Sequence, residues 1–178
     1  MEYTSRYDSP FGEITMASDG SGLNGLWFEG QKYYAAMLDR DHRERDDLPV
    51  FRQVREWLDI YFRGEEPGFM PPLALKGTPF RLAVWDILQQ IPYGKTMTYG
   101  EIAKEIAGQK GISTMSAQAV GGAVGHNPVS IIVPCHRVVG SNGSLTGYAG
   151  GIDRKIELLS LEKVSLENFF VPKKGTAL

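Results

Sequence analysis

Between residues 64 and 78 the chain carries Gly64, Pro67, Gly68, Pro71, Pro72 and Gly77. Proline removes a backbone donor and fixes φ, and glycine loses the most freedom on ordering. A helix or central strand does not run through such a stretch, so it divides the 178 residues in two. We place an N-terminal domain over 1–75 and a C-terminal domain over 76–178. The charge divides at the same place. Residues 1–75 carry 14 Asp and Glu against 8 Lys and Arg, and residues 76–178 carry 7 against 11. The basic half suits a polyanionic partner, although a surplus of four also serves plain solubility.

The first 30 residues read as strands. Tyr3 to Tyr7, Glu13 to Ser18 and Leu23 to Glu29 are separated by Asp8-Ser9-Pro10-Phe11-Gly12 and Asp19-Gly20-Ser21-Gly22, both strong turn signals. This pattern predicts an antiparallel meander. The charged run 39–47 reads as a solvated loop or helix end. Val54, Trp57, Leu58, Tyr61 and Phe62 recur at helical spacing and form one apolar stripe, ended by Gly64.

After the boundary the pattern turns helical. Thr78 caps a helix with Pro79 at its first position, and Phe80, Ala83, Val84, Ile87 and Leu88 form the buried stripe. Thr98-Tyr99-Gly100-Glu101 fits a capping box opening a short helix that stops at Gly108. A second short helix follows over Ser116 to Val124. Such a pair fits a helix-turn-helix, and equally many core helix pairs. Adjacent glycines at Gly121 and Gly122 cost about 1 kcal/mol each in a helix. They permit either tight packing on a neighbouring helix or close approach of a nucleic-acid backbone.

Cys135 is the only cysteine, so no intramolecular disulfide forms. A free cysteine often just fills space in a core. Here Ile131-Ile132-Val133 reads as a short buried strand that Pro134 terminates, which puts Cys135 at a strand end where chemistry reaches it. The charges of Arg137, and of His136 when protonated, favour thiolate, the nucleophilic form. No apolar stretch approaches the roughly 20 residues that span a bilayer. The N-terminus lacks the apolar core of a signal peptide, and an unpaired thiol suits a reducing compartment. We read a soluble cytoplasmic protein, bacterial or archaeal, without a membrane partner. The Lys173-Lys174 tail reads as a disordered end.

Residues 117–151, with AVGGAVGHNP, IIVPCHRVVG and GSLTGYAGG, closely resemble the O6-alkylguanine-DNA alkyltransferases, also called methylated-DNA–protein-cysteine methyltransferases. VPCHRV is a highly specific signature. The resemblance extends over 78–163 and fades over 1–70, where only the order of elements agrees. It implies an α/β N-terminal domain resembling ribonuclease H, with a small antiparallel sheet plus a helix. It also implies a mainly helical C-terminal domain with a winged-helix-type helix-turn-helix. The implied activity is repair of O6-methylguanine, and less well O4-methylthymine, in double-stranded DNA. The alkyl group passes irreversibly to the cysteine, once per molecule. The implied partner is DNA entered from the minor groove by a monomer, with the damaged base flipped out.

Residue by residue, the resemblance makes Cys135 the acceptor and His136 its base, acting through a water. It makes Glu162 the residue orienting the histidine and Asn127 the residue ordering the loop before the active segment. Tyr99 would contact the flipped guanine and its phosphate. The carbonyls of Cys135 and Val138 would accept from the guanine amino group. Tyr148 and Ala149 would close the pocket, with the Ala149 amide facing O6. Ser141 and Arg137 are also placed on the DNA and substrate side, and Arg137 fits a phosphate contact or an internal salt bridge. Taken alone, Glu162 also fits a solvated face of a last helix capped by Asp153, and Tyr99 a core aromatic. The family has an arginine where this chain has Gln118, the residue filling the gap left by the flipped base. Some members bind zinc in the N-terminal domain. Here the histidines are His42, His126 and His136 and no second cysteine exists, so neither zinc nor any cofactor is expected.

The chemistry suits these residues. A thiol of pKa about 8.5 is only slightly ionised at neutral pH, so it needs a base. A His–Glu pair supplies one. A donor such as Tyr99 or a backbone amide offsets charge on the leaving oxygen, and flipping is required because O6 lies within the stack. Two other classes compete: a DNA-binding sensor of alkylated bases, whose members lack the cysteine, and a cysteine hydrolase using Cys135 and His136.

Overall fold

The computed structural model of the protein describes residues 1–173; Lys174 lies outside the described residues. Strand β1 (Glu2–Ser9), β2 (Gly12–Ser18) and β3 (Leu23–Phe28) form the expected antiparallel meander. A fourth strand, β4 (His42–Glu44), pairs parallel to β1, so the sheet order is β3-β2-β1-β4. This corrects the reading of 39–47 as loop or helix end. All three β4 residues are exposed, so the pairing is made by backbone alone and leaves no apolar alternation to read.

Every residue of β3 is buried because its outer edge is covered. Leu23 exchanges bonds with Pro72 and Ala74, and Leu26 with Pro128 and Ser130. Helix α1 (Pro49–Phe62) buries Val54, Trp57, Leu58 and Tyr61 of the expected stripe, with Phe62 half-buried. The chain forms two compact units: Met1–Lys76 with Pro128–Ile132, and Gly77–Asn127 with Val133–Leu178. Residues 128–132 therefore group with the first unit, although they lie deep within the second stretch of sequence.

In the second unit, α2 (Pro79–Gln89) is capped by Thr78, whose hydroxyl accepts from the Arg81 amide at 3.2 Å. The Trp85 indole donates to the Ala123 carbonyl at 2.8 Å, tying α2 to α4 (Ala117–Gly125). Both bonds of the Thr98–Glu101 capping box are present at the start of α3 (Tyr99–Lys110). That helix runs past Gly108 and ends where Gly111 takes the left-handed conformation at φ 65°. Strand β5 (Met97–Thr98) pairs parallel to β6 (Val138–Val139).

Helix α5 (Ile152–Leu161) is capped by Gly151, not Asp153, which lies within its first turn. The expected strand over Ile131–Val133 is absent. Once Ser130 has bonded to Leu26, Ile131 turns the chain at φ 69°, an uncommon conformation for a β-branched residue. Among the described residues no helix is long and apolar enough to cross a membrane.

Candidate active site

Cys135 opens a single 3₁₀ turn, Cys135–Arg137, rather than ending a strand, and is 5 % exposed. Its amide donates to the Val133 carbonyl at 2.8 Å, and the Asn127 carboxamide donates to the same oxygen at 2.7 Å. One acceptor thus fixes both the loop and the residue bearing sulfur. Burial pushes the Cys135 thiol above its ordinary value, while the Asn127 carboxamide and the Lys155 ammonium pull it down.

His136 is fully buried, and its Nε2 is engaged by Glu162. Glu162 Oε1 accepts from Arg137 Nε at 2.8 Å and from the Gly94 amide at 3.0 Å. Burial opposes ionisation of this carboxyl, but the His136 and Arg137 donors prevail and hold it at about 2. Burial lowers His136 despite its carboxylate partner, so the imidazole is neutral at rest and able to take a proton. Nε2 is the ring nitrogen committed to Glu162.

Arg137 forms the internal salt bridge, one of the two roles expected of it. Only 8 % exposed, it donates from Nη1 to the Ile91 carbonyl at 2.7 Å and lies over the Tyr93 ring, 5.8 Å from its centroid. It is an internal support for Glu162, not a phosphate contact. Its charge is paired with the Glu162 carboxylate.

The cation acting on Cys135 is Lys155, which the sequence reading missed. It is fully buried in α5, and its Nζ donates to the carbonyls of Val138 and Thr146, the latter at 2.8 Å. Burial brings it down to about 8. The signal was present: Lys155 lies on the helical stripe shared by Ile152, Ile156 and Leu159, where a lysine is out of place.

Tyr99 donates its hydroxyl to the same Thr146 carbonyl at 3.1 Å, and burial raises its pKa, with Cys135 adding to the rise. Tyr148 meets the His136 ring edge-on at 6.4 Å. Val138 is buried in β6, and its carbonyl already accepts from Lys155. Ala149 is half-buried beside Tyr148, while Ser141 and Gln118 are exposed and stand outside this hydrogen-bonded network. Gly122 faces open space, so packing against the protein does not account for it. Among the described residues no cluster of three His, Cys, Asp or Glu is placed to hold a metal. The arrangement can remove a thiol proton within a closed, buried network.

Two family models match the chain. The 6-O-methylguanine DNA methyltransferase ribonuclease-like domain matches residues 3–75, and the DNA binding domain of that name matches residues 79–164. A methylated-DNA–protein-cysteine methyltransferase of Mycobacterium bovis is 49 % identical, covering 88 % of this chain and 89 % of the relative. One from Haemophilus influenzae is 44 % identical, with 91 % and 87 % covered. The crystal structure of Mycobacterium tuberculosis OGT in complex with DNA is 44 % identical, with a TM-score of 0.76 over 91 % of this chain and 92 % of that one.

Proposed function

The chain belongs to the 6-O-methylguanine DNA methyltransferase family, and on that premise we propose that it repairs O6-methylguanine in double-stranded DNA by moving the methyl group irreversibly to Cys135. The observation that carries this reading is the lone thiol beside a buried His136–Glu162 pair.

In the reaction, Cys135 Sγ attacks the methyl carbon as the carbon–O6 bond breaks, and that electron pair stays on guanine. The thiol proton passes to His136 Nδ1, through a water, and is returned to the guanine anion, so charge balances. Burial holds the thiol above its ordinary value, so His136 is needed to take its proton. Glu162 stabilises the transient imidazolium. Tyr99 and the Ala149 amide face the flipped base, and Tyr148 closes over it. The thioether formed has no easy hydrolytic route, so each molecule acts once. O4-methylthymine is a poorer substrate of the same site.

Helix α4 enters the minor groove, with Gln118 in the gap left by the flipped base and Gly122 allowing close approach. The protein acts as a monomer in the cytoplasm, where its thiol stays reduced. The Cys135 thiol sets this reading apart from a sensor without chemistry, and the thioether product sets it apart from a hydrolase.

Incubation with duplex DNA bearing a labelled O6-methyl group tests it. One label per protein is expected, on the peptide containing Cys135, and none on Cys135→Ser. Repeated turnover, or lesion removal by the serine variant, overturns the proposal.

A further inference from the structure

The chain continues past residue 164, where the family's DNA-binding-domain match ends, and stays packed on the second unit. Leu166 and Phe169 pack against the cluster of Val139, Leu145 and Leu159. The Phe170 amide donates to the Gly143 carbonyl at 3.0 Å, and the Leu145 amide donates to the Phe170 carbonyl at 2.9 Å. Ser144 and Phe170 thus form a parallel bridge. Gly143 sits at φ 89°, and a Cβ there would run into the Asn168 carbonyl oxygen, so this seat requires glycine.

The clamped residues lead directly into the segment that borders the site. Thr146 supplies the carbonyl shared by Tyr99 and Lys155, and Tyr148 stands against His136. That segment is rich in conformational freedom: Gly140, Gly143, Gly147, Gly150 and Gly151 all fall within twelve residues. A loop of this composition holds one geometry only when its ends are fixed.

We propose that Leu166–Phe170 is a positioning strap whose backbone pairing with Gly143 and Leu145 fixes the Thr146–Gly151 loop, and with it Tyr148 and Ala149, against the base that Cys135 demethylates. The proposal rests on the function given above. Phe170 is 46 % exposed, so the strap acts through its backbone rather than its ring. Its residues position the loop and take no part in the transfer itself.

The test compares Phe170→Pro, which removes the amide donor, with Phe170→Ala, which keeps it. Gly143→Ala attacks the same seat from the other side. Single-turnover transfer from duplex DNA bearing one O6-methylguanine is measured, together with hydrogen exchange across residues 144–150. Phe170→Pro and Gly143→Ala are expected to slow transfer at saturating DNA about tenfold. The half-saturating DNA concentration stays unchanged, the loop amides exchange faster, and Phe170→Ala matches the parent. Transfer at the parent rate in both Phe170→Pro and Gly143→Ala overturns the strap, as does an equal loss in Phe170→Ala. If the parent protein accepts no methyl group, the proposed function falls. Exchange then decides the strap: faster in Phe170→Pro than in Phe170→Ala upholds it, and equal rates overturn it.

Discussion

Arg137 donates from Nε to Glu162 Oε1 at 2.8 Å, in a pair whose arginine side chain is 9 % exposed and whose glutamate is fully buried. Glu162 in turn holds His136. A residue adjacent to the histidine in sequence therefore reaches it through a glutamate 25 positions away.

Removing one partner of such a buried pair strands the other charge. Arg137→Ala is expected to destabilise the protein by about 3–5 kcal/mol, read as a lowered urea midpoint. The salt dependence of DNA binding should be unchanged. A phosphate contact would instead reduce that slope by about 1, and such a result would restore Arg137 to the DNA-facing side.

Acid should weaken the fold over two pH windows. The Glu162 carboxyl is held at about 2 against an ordinary 4.5, so its stabilising share is complete above 4.5 and lost as pH falls toward 2. The buried His136 lies below its ordinary 6.5, so the unfolded chain takes up that proton first and stability already declines below 6.5. Thermal midpoints between pH 7 and 3 should fall in both windows, and Glu162→Gln should flatten the lower one. A flat parent profile contradicts the assignment.

Lys155 lowers the thiol of Cys135 by its charge alone. In Lys155→Met the rate of alkylation of Cys135 by iodoacetamide at pH 7, where the parent's Lys155 is charged, should fall. An unchanged rate would reduce Lys155 to a structural donor for Val138 and Thr146.

A methyl group at Gly122 meets no atom within 4 Å beyond the neighbouring backbone of its own helix. Gly122→Ala should therefore stabilise α4 by about 1 kcal/mol and raise the thermal midpoint. If the helix backbone approaches DNA closely, the same methyl weakens duplex binding. A stability gain with unchanged affinity would remove α4's glycine from the DNA contact.

Gln118 is exposed on the first turn of α4 and lacks the charge of the family's arginine. Gln118→Arg is expected to speed repair of duplex DNA, measured as the single-turnover rate. An unchanged or slower rate rejects its role in the vacated gap.

Much of the molecule was legible because its signals are local. Thr78, Thr98 and Ser116 cap the helices they precede, since each side chain bonds an amide three residues on. The meander follows from alternation and turn residues, and Cys135 and His136 from a contiguous signature. The end of α3 was misjudged because a glycine inside a helix and one terminating it look alike until φ is known; Gly108 is the former and Gly111 the latter.

What the sequence by itself determined is the meander, the main helices and the lone thiol at Cys135, because spacing, capping and turn chemistry act over a few residues. Only the tertiary structure decided that Arg137 points inward to Glu162 and Ile91, that Lys155 is buried with its charge felt at Cys135, and that residues 128–132 seal the edge of β3. These relationships join groups 20 to more than 100 positions apart. The path of the folded chain sets which carbonyl or carboxylate a donor meets, and burial then fixes the charge each group carries.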